Sequence, residues 1–431
     1  MSHTHFCHIS KIDSDQDLST LAYAYATLQQ PAPALFEAIA RELLSKRHAL
    51  RPTHLSEITF AFVTLRAHQS AAAADLFEAL ADAAREQLPL FSPHHLVTLL
   101  WAYAQAGYAP AHRSLFDQAA PHALLRIGGF SPRELSTVVS AFGLASHAHP
   151  QLFEAVASRA LQIGLHRFPT QKVVDLLHGF ASVQHEATAL FESAAASFGE
   201  GCATLPTRQL ALLAWSYAAA SPPPTDALHS LFGSHSPFAY ALRLSGRVPP
   251  TQLLTLRHIW QWVSWRGRCG DAAATWAELP PELHARAEAA YVSAEAARKT
   301  TSSSAANSTD LVSQVEQVLR EDLKLVPLAQ APLSDGMYAD LLVEYQGRKV
   351  AVEVDGRERH LANTNSYHGE AALRKRQLRH AGWMVLPVPY YEWIGAGHAD
   401  ETVQRRWRAW YLQSALEALV TANTPRDATG G

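Results

Sequence analysis

The chain has 431 residues, 48% of them hydrophobic and 17% charged, with 36 Lys/Arg against 39 Asp/Glu. That length predicts two or three domains, and the composition excludes a wholly disordered chain. A net charge of −3 excludes a global electropositive field for nucleic acid, so any phosphate contact must be local.

Three cysteines, Cys7, Cys202 and Cys269, are far apart and form no CxxC pair, which argues against a disulfide framework or a zinc site. No apolar run approaches a membrane span, and no signal-peptide core is visible. Residues 1–16 read as a disordered N-terminus. From residue 17 to 298 one pattern recurs: Leu18 to Tyr25, Leu55 to Phe62, Leu96 to Tyr103, Leu135 to Phe142, Val173 to Phe180 and Leu210 to Tyr217. The closing aromatics are 37, 41, 39, 38 and 37 residues apart. A second beat follows each: Leu35-Phe36, Leu76-Phe77, Leu115-Phe116, Leu152-Phe153, Leu190-Phe191 and Leu231-Phe232. Two interleaved signatures with one drifting period predict a repeat array of six clear units, with Leu253 to Trp265 as a degenerate seventh.

Each unit reads as a helical hairpin. Leu96, Leu99, Leu100 and Tyr103 fall at i, i+3, i+4 and i+7, one face of a helix. Ser92-Pro93 and Ser131-Pro132 supply an N-cap followed by proline at the first helical position. A hairpin this short cannot bury its apolar face alone, so neighbours must stack to complete the core. The closing aromatics are therefore expected inside. The polar residues two past each anchor, Thr20, Glu57, Thr98, Thr137 and Asp175, are the candidates for facing single-stranded RNA, one per repeat, although Leu212 breaks the series. From Leu18 to Leu244 there are 14 Lys/Arg against 15 Asp/Glu, so the array is near neutral.

Residues 299–309 lack an apolar period and read as a linker. Leu311, Val315, Val318, Leu319 and Leu323 then fit an amphipathic helix, opening an α/β domain over 310–421. Tyr338 to Tyr345 and Lys349 to Val354 are strand-like and joined by Gln346-Gly347, a hairpin signal. Tyr367 to His380 reads as a helix stopped by Gly382, Trp383 to Val388 as a buried strand, and Ala399 to Val420 as a final helix. Residues 422–431 read as a disordered tail.

Within 337–412 stand Val352-Glu353-Val354-Asp355-Gly356, His360, Leu373-Arg374-Lys375-Arg376-Gln377-Leu378, Gly382-Trp383 and Val388-Pro389-Tyr390-Tyr391-Glu392-Trp393. This ordered set resembles the RAP domain, a C-terminal module of organellar RNA proteins with a restriction-endonuclease-like fold. The repeats resemble the roughly forty-residue helical repeats that precede RAP domains in algal and apicomplexan organellar proteins and in the FAST-kinase-like family. The resemblance implies an α-helical solenoid followed by a small restriction-endonuclease-like α/β domain. It also implies a mitochondrial or chloroplast location and single-stranded RNA as partner, with proteins of a ribonucleoprotein complex beside it. No Arg- and Ser-rich presequence is visible before Leu18.

Two chemistries compete at the strand end. Glu353 and Asp355 share a face because strand side chains alternate. With Asp340 they could gather Mg²⁺ for RNA cleavage, but Asp355 stands where active nucleases of that fold carry a lysine; Arg374 or Lys375 from the following helix would have to replace it. The cluster Arg374, Lys375, Arg376 and Arg379 reads either as a phosphate contact or as a solvated face. The leading expectation is a non-catalytic RNA-binding factor in RNA processing, stability or translation that needs no cofactor. A Mg²⁺-dependent endoribonuclease and a protein-binding scaffold are the alternatives.

Overall fold

The computed structural model describes residues 15–46, 50–108, 112–221, 231–236, 238–239, 252–266, 277–300, 308–333, 337–395 and 400–423. The expected disordered N-terminus and tail lie almost wholly outside the described residues. The chain divides into two compact units, Met1–Leu205 with Ala220–Leu231 and Ala362–Thr364, and Pro206–Ala219 with Phe232–Leu361 and Asn365–Gly431.

Among its described residues the first unit holds five helical hairpins: α1 (Asp15–Thr27) with α2 (Pro33–Lys46), α3 (Pro52–Thr64) with α4 (Ala71–Gln87), α5 (Pro93–Gln105) with α6 (Arg113–Leu125), α7 (Pro132–Leu144) with α8 (Pro150–Ile163), and α9 (Thr170–Val183) with α10 (Thr188–Phe198). The helix starts follow from local chemistry. Ser92 Oγ accepts the His95 N–H, and Ser131 and Glu134 form a reciprocal capping box, each satisfying donors that a helix leaves open. First helices stack on first helices, α1 on α3 through to α9, and this row is packed more closely than the row of second helices.

The aromatic beats build the core. Phe62, Tyr103, Phe142 and Phe180 are fully buried, while Tyr25, in the first helix, is half-buried. Each meets a second-beat ring edge-on: Phe36–Phe62 at 4.9 Å, Phe77–Tyr103 at 5.2 Å, Phe116–Phe142 at 5.2 Å and Phe153–Phe180 at 5.1 Å. Such pairs add roughly 0.5–1.5 kcal/mol each beyond their burial. Small residues set the helix spacing. A Cβ on Gly179 would lie 2.6 Å from the Val139 carbonyl oxygen, so α7 and α9 can approach this closely only with glycine there. A polar tie repeats as well: His147 Nε2 lies 2.8 Å from Asp117 Oδ1, and His185 Nε2 lies 3.8 Å from Glu154 Oε2. Each joins a histidine five past the closing aromatic to the acid beside the preceding second-beat phenylalanine.

The second unit begins with α11 (Thr207–Ala219), the first helix of the sixth repeat, which packs on α12 (Leu253–Arg266), and α12 packs on α13 (Pro281–Thr300). The helix α13 carries through Thr300 and α14 (Ser308–Glu321) follows, so only residues 301–307 of the expected linker lie between helices, outside the described residues. Four strands then form one sheet in the order β1 (Leu328–Pro332), β2 (Tyr338–Tyr345), β3 (Arg348–Asp355), β4 (Met384–Pro389). The first two pairings are antiparallel and β3–β4 is parallel. Gln346 (φ 50°) and Gly347 (φ 73°) both take positive φ, the tight two-residue hairpin that the dipeptide predicted.

Between β3 and β4 runs α15 (Gly369–His380); after β4 come the short α16 (Tyr390–Gly395) and the final α17 (Glu401–Ala422). The stop at Gly382 is a Schellman turn: the Trp383 N–H donates to Leu378 O, the Gly382 N–H to Arg379 O, and Gly382 sits at φ +85°. Alternation sorts the sheet. Val350, Val352 and Val354 face an apolar core with Leu341, Leu311, Val315, Leu412 and Leu416 from β2, α14 and α17, while Glu353 and Asp355 face α15. The edge strand β1 and the short α16 were not expected from the sequence.

Candidate nucleic-acid interface

The helix α15 is buried on two sides, between the sheet and the helices α11 and α12. Consecutive helical residues point about 100° apart, so its cations diverge. Arg374 turns to the sheet, where Nε donates to Glu353 Oε2 at 2.9 Å and Nη2 to Glu353 Oε1 at 3.4 Å and to the Tyr338 carbonyl. Lys375 Nζ donates to Asp355 Oδ1 at 2.6 Å and lies 4.1 Å from the centre of the Tyr367 ring. All four side chains are at most 4% exposed. Arg376 points the other way and donates to the Ala218 and Ala219 carbonyls at 3.0 and 2.7 Å, capping the open C-terminus of α11. Only Arg379 of the expected phosphate cluster is exposed. Three of the four cations therefore hold the domain together and seat it on the sixth repeat.

The carboxylates are engaged as well. Asp340 Oδ2 accepts the Val354 N–H at 3.0 Å, and Asp355 Oδ2 accepts the Tyr367 hydroxyl at 2.9 Å. The latter bond explains why α15 starts at Gly369 rather than Tyr367: Tyr367 is held in the preceding loop, and His368 caps the helix. Among the described residues no three His, Cys, Asp or Glu side chains converge as a metal would need. With Glu353 and Asp355 turned to Arg374, Lys375 and Tyr367, this set does not fit a Mg²⁺ site.

His360 completes the cluster. Its Nδ1 lies 3.0 Å from the Gly356 carbonyl, an acceptor, so that nitrogen carries the proton; Nε2 is buried without a hydrogen-bond partner among Tyr367, Tyr390 and Tyr391. Burial pushes its pKa down against the opposing pull of the Gly356 carbonyl and Asp355, and it pushes the Lys375 ammonium down despite the adjacent Asp355. The Tyr367 phenol is driven well above its ordinary range by burial first and Asp355 second.

On the repeat array, Thr20 is exposed and Glu57, Thr98, Thr137 and Asp175 are half-buried, all on the first-helix row. The hydroxyls of Thr20, Thr98 and Thr137 donate to carbonyls four residues back, at 2.8, 2.8 and 2.7 Å. Their oxygens and the Glu57 carboxylate are acceptors along this row, and the Asp175 carboxylate pairs with Lys172 at 2.8 Å. An acceptor row suits the N–H edges of bases better than phosphate. Sequence reasoning missed the neighbouring row, five past each anchor: tilted ring pairs join Tyr23 to Phe60 at 5.7 Å and Phe60 to Trp101 at 5.9 Å, with Tyr23 43% exposed. The signal was available, because positions two and five past the anchor are three apart and share a helix face.

Comparison with known families agrees with this layout. A model described as RAP domain matches residues 352–404, from within β3 into α17. A model described as RNA-editing substrate-binding complex 6 protein matches residues 4–163 and 72–221, two overlapping placements that together span about half of the chain. No curated protein matches the chain.

Proposed function

We propose, from the premise that this chain belongs to the RAP domain-containing RNA-binding proteins, that it reads single-stranded RNA along the first-helix row and acts non-catalytically in RNA processing. The observation that carries this reading is the joining, in one chain, of a match to the RNA-editing substrate-binding complex 6 protein model and a RAP match. The site geometry supports it. Acceptors at Thr20, Glu57, Thr98, Thr137 and Asp175 alternate with aromatic faces at Tyr23, Phe60 and Trp101, the combination that holds unstacked bases. Duplex RNA hides those base edges and should bind less well.

The RAP-like domain, with a restriction-endonuclease-like fold, acts as a firmly seated clamp. Its carboxylates serve Arg374, Lys375 and a backbone amide, which favours binding over cleavage. Family resemblance and the RNA-editing match favour an organellar site of action, mitochondrial rather than plastid, within a ribonucleoprotein complex. The test is equilibrium binding of the full chain to a labelled unstructured 20-nucleotide RNA and to the same RNA in duplex. Tighter binding to the single strand, with the RNA intact after incubation with Mg²⁺, is expected. Absence of binding to either form overturns the reading.

A further inference from the structure

The final helix α17 carries a basic and aromatic run, Arg405-Arg406-Trp407-Arg408-Ala409-Trp410-Tyr411, all of it beyond the residues matched by the RAP model. Within it Trp410 is 63% exposed, an unusual state for the largest apolar side chain. It is not isolated. Trp410 lines a groove of about 470 Å³ between α17 and the end of α14, with Leu323 and Ala409 beneath. Thr402, Arg406, Trp410 and Gln413 also line the groove and are all exposed. At spacings of four, four and three residues they fall on one helix stripe.

The opposite wall is fixed in place. Arg405 Nε donates to both oxygens of Asp322, at 3.1 and 2.9 Å, and its Nη2 to Glu321 Oε2 at 2.7 Å. Arg405 and Asp322 also line the groove but are paired with each other, and Arg405 with Glu321 as well, so Arg406 is the lining cation not engaged by the acids of the α14 end. A hydroxyl, a guanidinium, an exposed indole and an amide are set along about three turns of helix. They match the parts of a nucleotide: phosphate on Arg406, base on the Trp410 face, and base or sugar edges on Thr402 and Gln413.

We infer that this groove is a nucleotide-binding subsite for single-stranded RNA. It rests on the RNA-binding reading above and supplies the RAP-like domain with the phosphate and base contacts that Arg374, Lys375 and Arg376 are not placed to make. A protein segment is the competing occupant. It is less favoured because the polar groups here pair a single cation with base-edge donors and acceptors beside one stacking face.

The experiment uses the full chain, the labelled 20-nucleotide single-stranded RNA, and the surface variants Trp410→Leu, Trp410→Phe and Arg406→Gln. The groove predicts roughly tenfold weaker binding for Trp410→Leu and near-parental binding for Trp410→Phe, because an aromatic face is what the base needs. Arg406→Gln should weaken binding of all sequences and reduce the salt slope by about 0.7, the contribution of one single-strand phosphate. Parental RNA binding in Trp410→Leu and Arg406→Gln, with an unchanged salt slope, would sink this proposal and leave the groove to a protein partner. The parent's failure to bind RNA at all would instead remove the broader reading on which it rests.

Discussion

The substitution Lys375→Met separates an internal role for the basic helix from a phosphate-binding one. Methionine keeps the apolar stem but removes the ammonium that sits 2.6 Å from Asp355 and 4.1 Å from the Tyr367 ring centre. Asp355, 2% exposed, would be left charged with only the Tyr367 hydroxyl among the donors described above. Stranding one member of a buried pair costs about 3–5 kcal/mol. Burial holds the Lys375 pKa down even beside Asp355, and buried ion pairs in general add little net stability because desolvation offsets the attraction. The double variant Lys375→Met/Asp355→Asn, which removes both charges, should therefore recover most of the loss, to a net cost of about 1–2 kcal/mol. Hydrogen exchange of the β3 and α15 amides reads this locally. At 1.4 kcal/mol per factor of ten, the single variant should lower protection by roughly a hundredfold to a few thousandfold. RNA affinity of the folded fraction and its salt slope should hold. Unchanged protection together with a salt slope reduced by one phosphate would refute the argument and make Lys375 a contact to RNA.

Other outcomes follow from the same geometry. Gly179→Ala should lower the melting temperature by several degrees, since its Cβ would press on the Val139 backbone at a cost of about 1–3 kcal/mol, whereas Gly128→Ala, with no atom within 4 Å, should change little. His147 and His185 are both pushed below the ordinary imidazole pKa of about 6.5, chiefly by burial. The unfolded chain then binds protons more readily, so their contribution is complete above about pH 6.5 and is lost as pH falls through the folded values. Melting should come earlier at pH 5 than at pH 7.5, with a smaller drop in His147→Gln/His185→Gln. Arg376→Met removes two charge-assisted bonds to the end of α11, each worth about 1.5–3 kcal/mol. Faster exchange and proteolysis near Ala218 are expected, without a change in RNA salt slope.

Legibility in the sequence varied with the range of the forces involved. The repeats were plain because hairpin stacking forces the same apolar positions to recur, and each burial lands where the period put it, from Phe62 to Phe180. The Gln346-Gly347 turn was plain because few residues tolerate positive φ twice in succession. The strand β1 was hidden, since Leu328–Pro332 is mostly exposed and is ordered by pairing with β2 rather than by its own pattern. The basic helix misled in a different way. Four cations in six residues suggest one patch, but helical rotation sends Arg374 and Lys375 into the sheet and Arg376 onto α11. Which surfaces would cover that helix is a long-range fact that local composition does not carry. The groove at Trp410 depends likewise on the end of α14 lying beside α17.

The central claim, that RNA lies on the first-helix row while the cations of α15 act within the fold, is met most directly by photocrosslinking the full chain to single-stranded RNA and identifying the attached peptides by mass spectrometry. Adducts on peptides from Asp15–Thr27, Pro52–Thr64 and Pro93–Gln105, with none on Gly369–His380, are the predicted result. Adducts concentrated on Gly369–His380, with the repeat helices unlabelled, would contradict it.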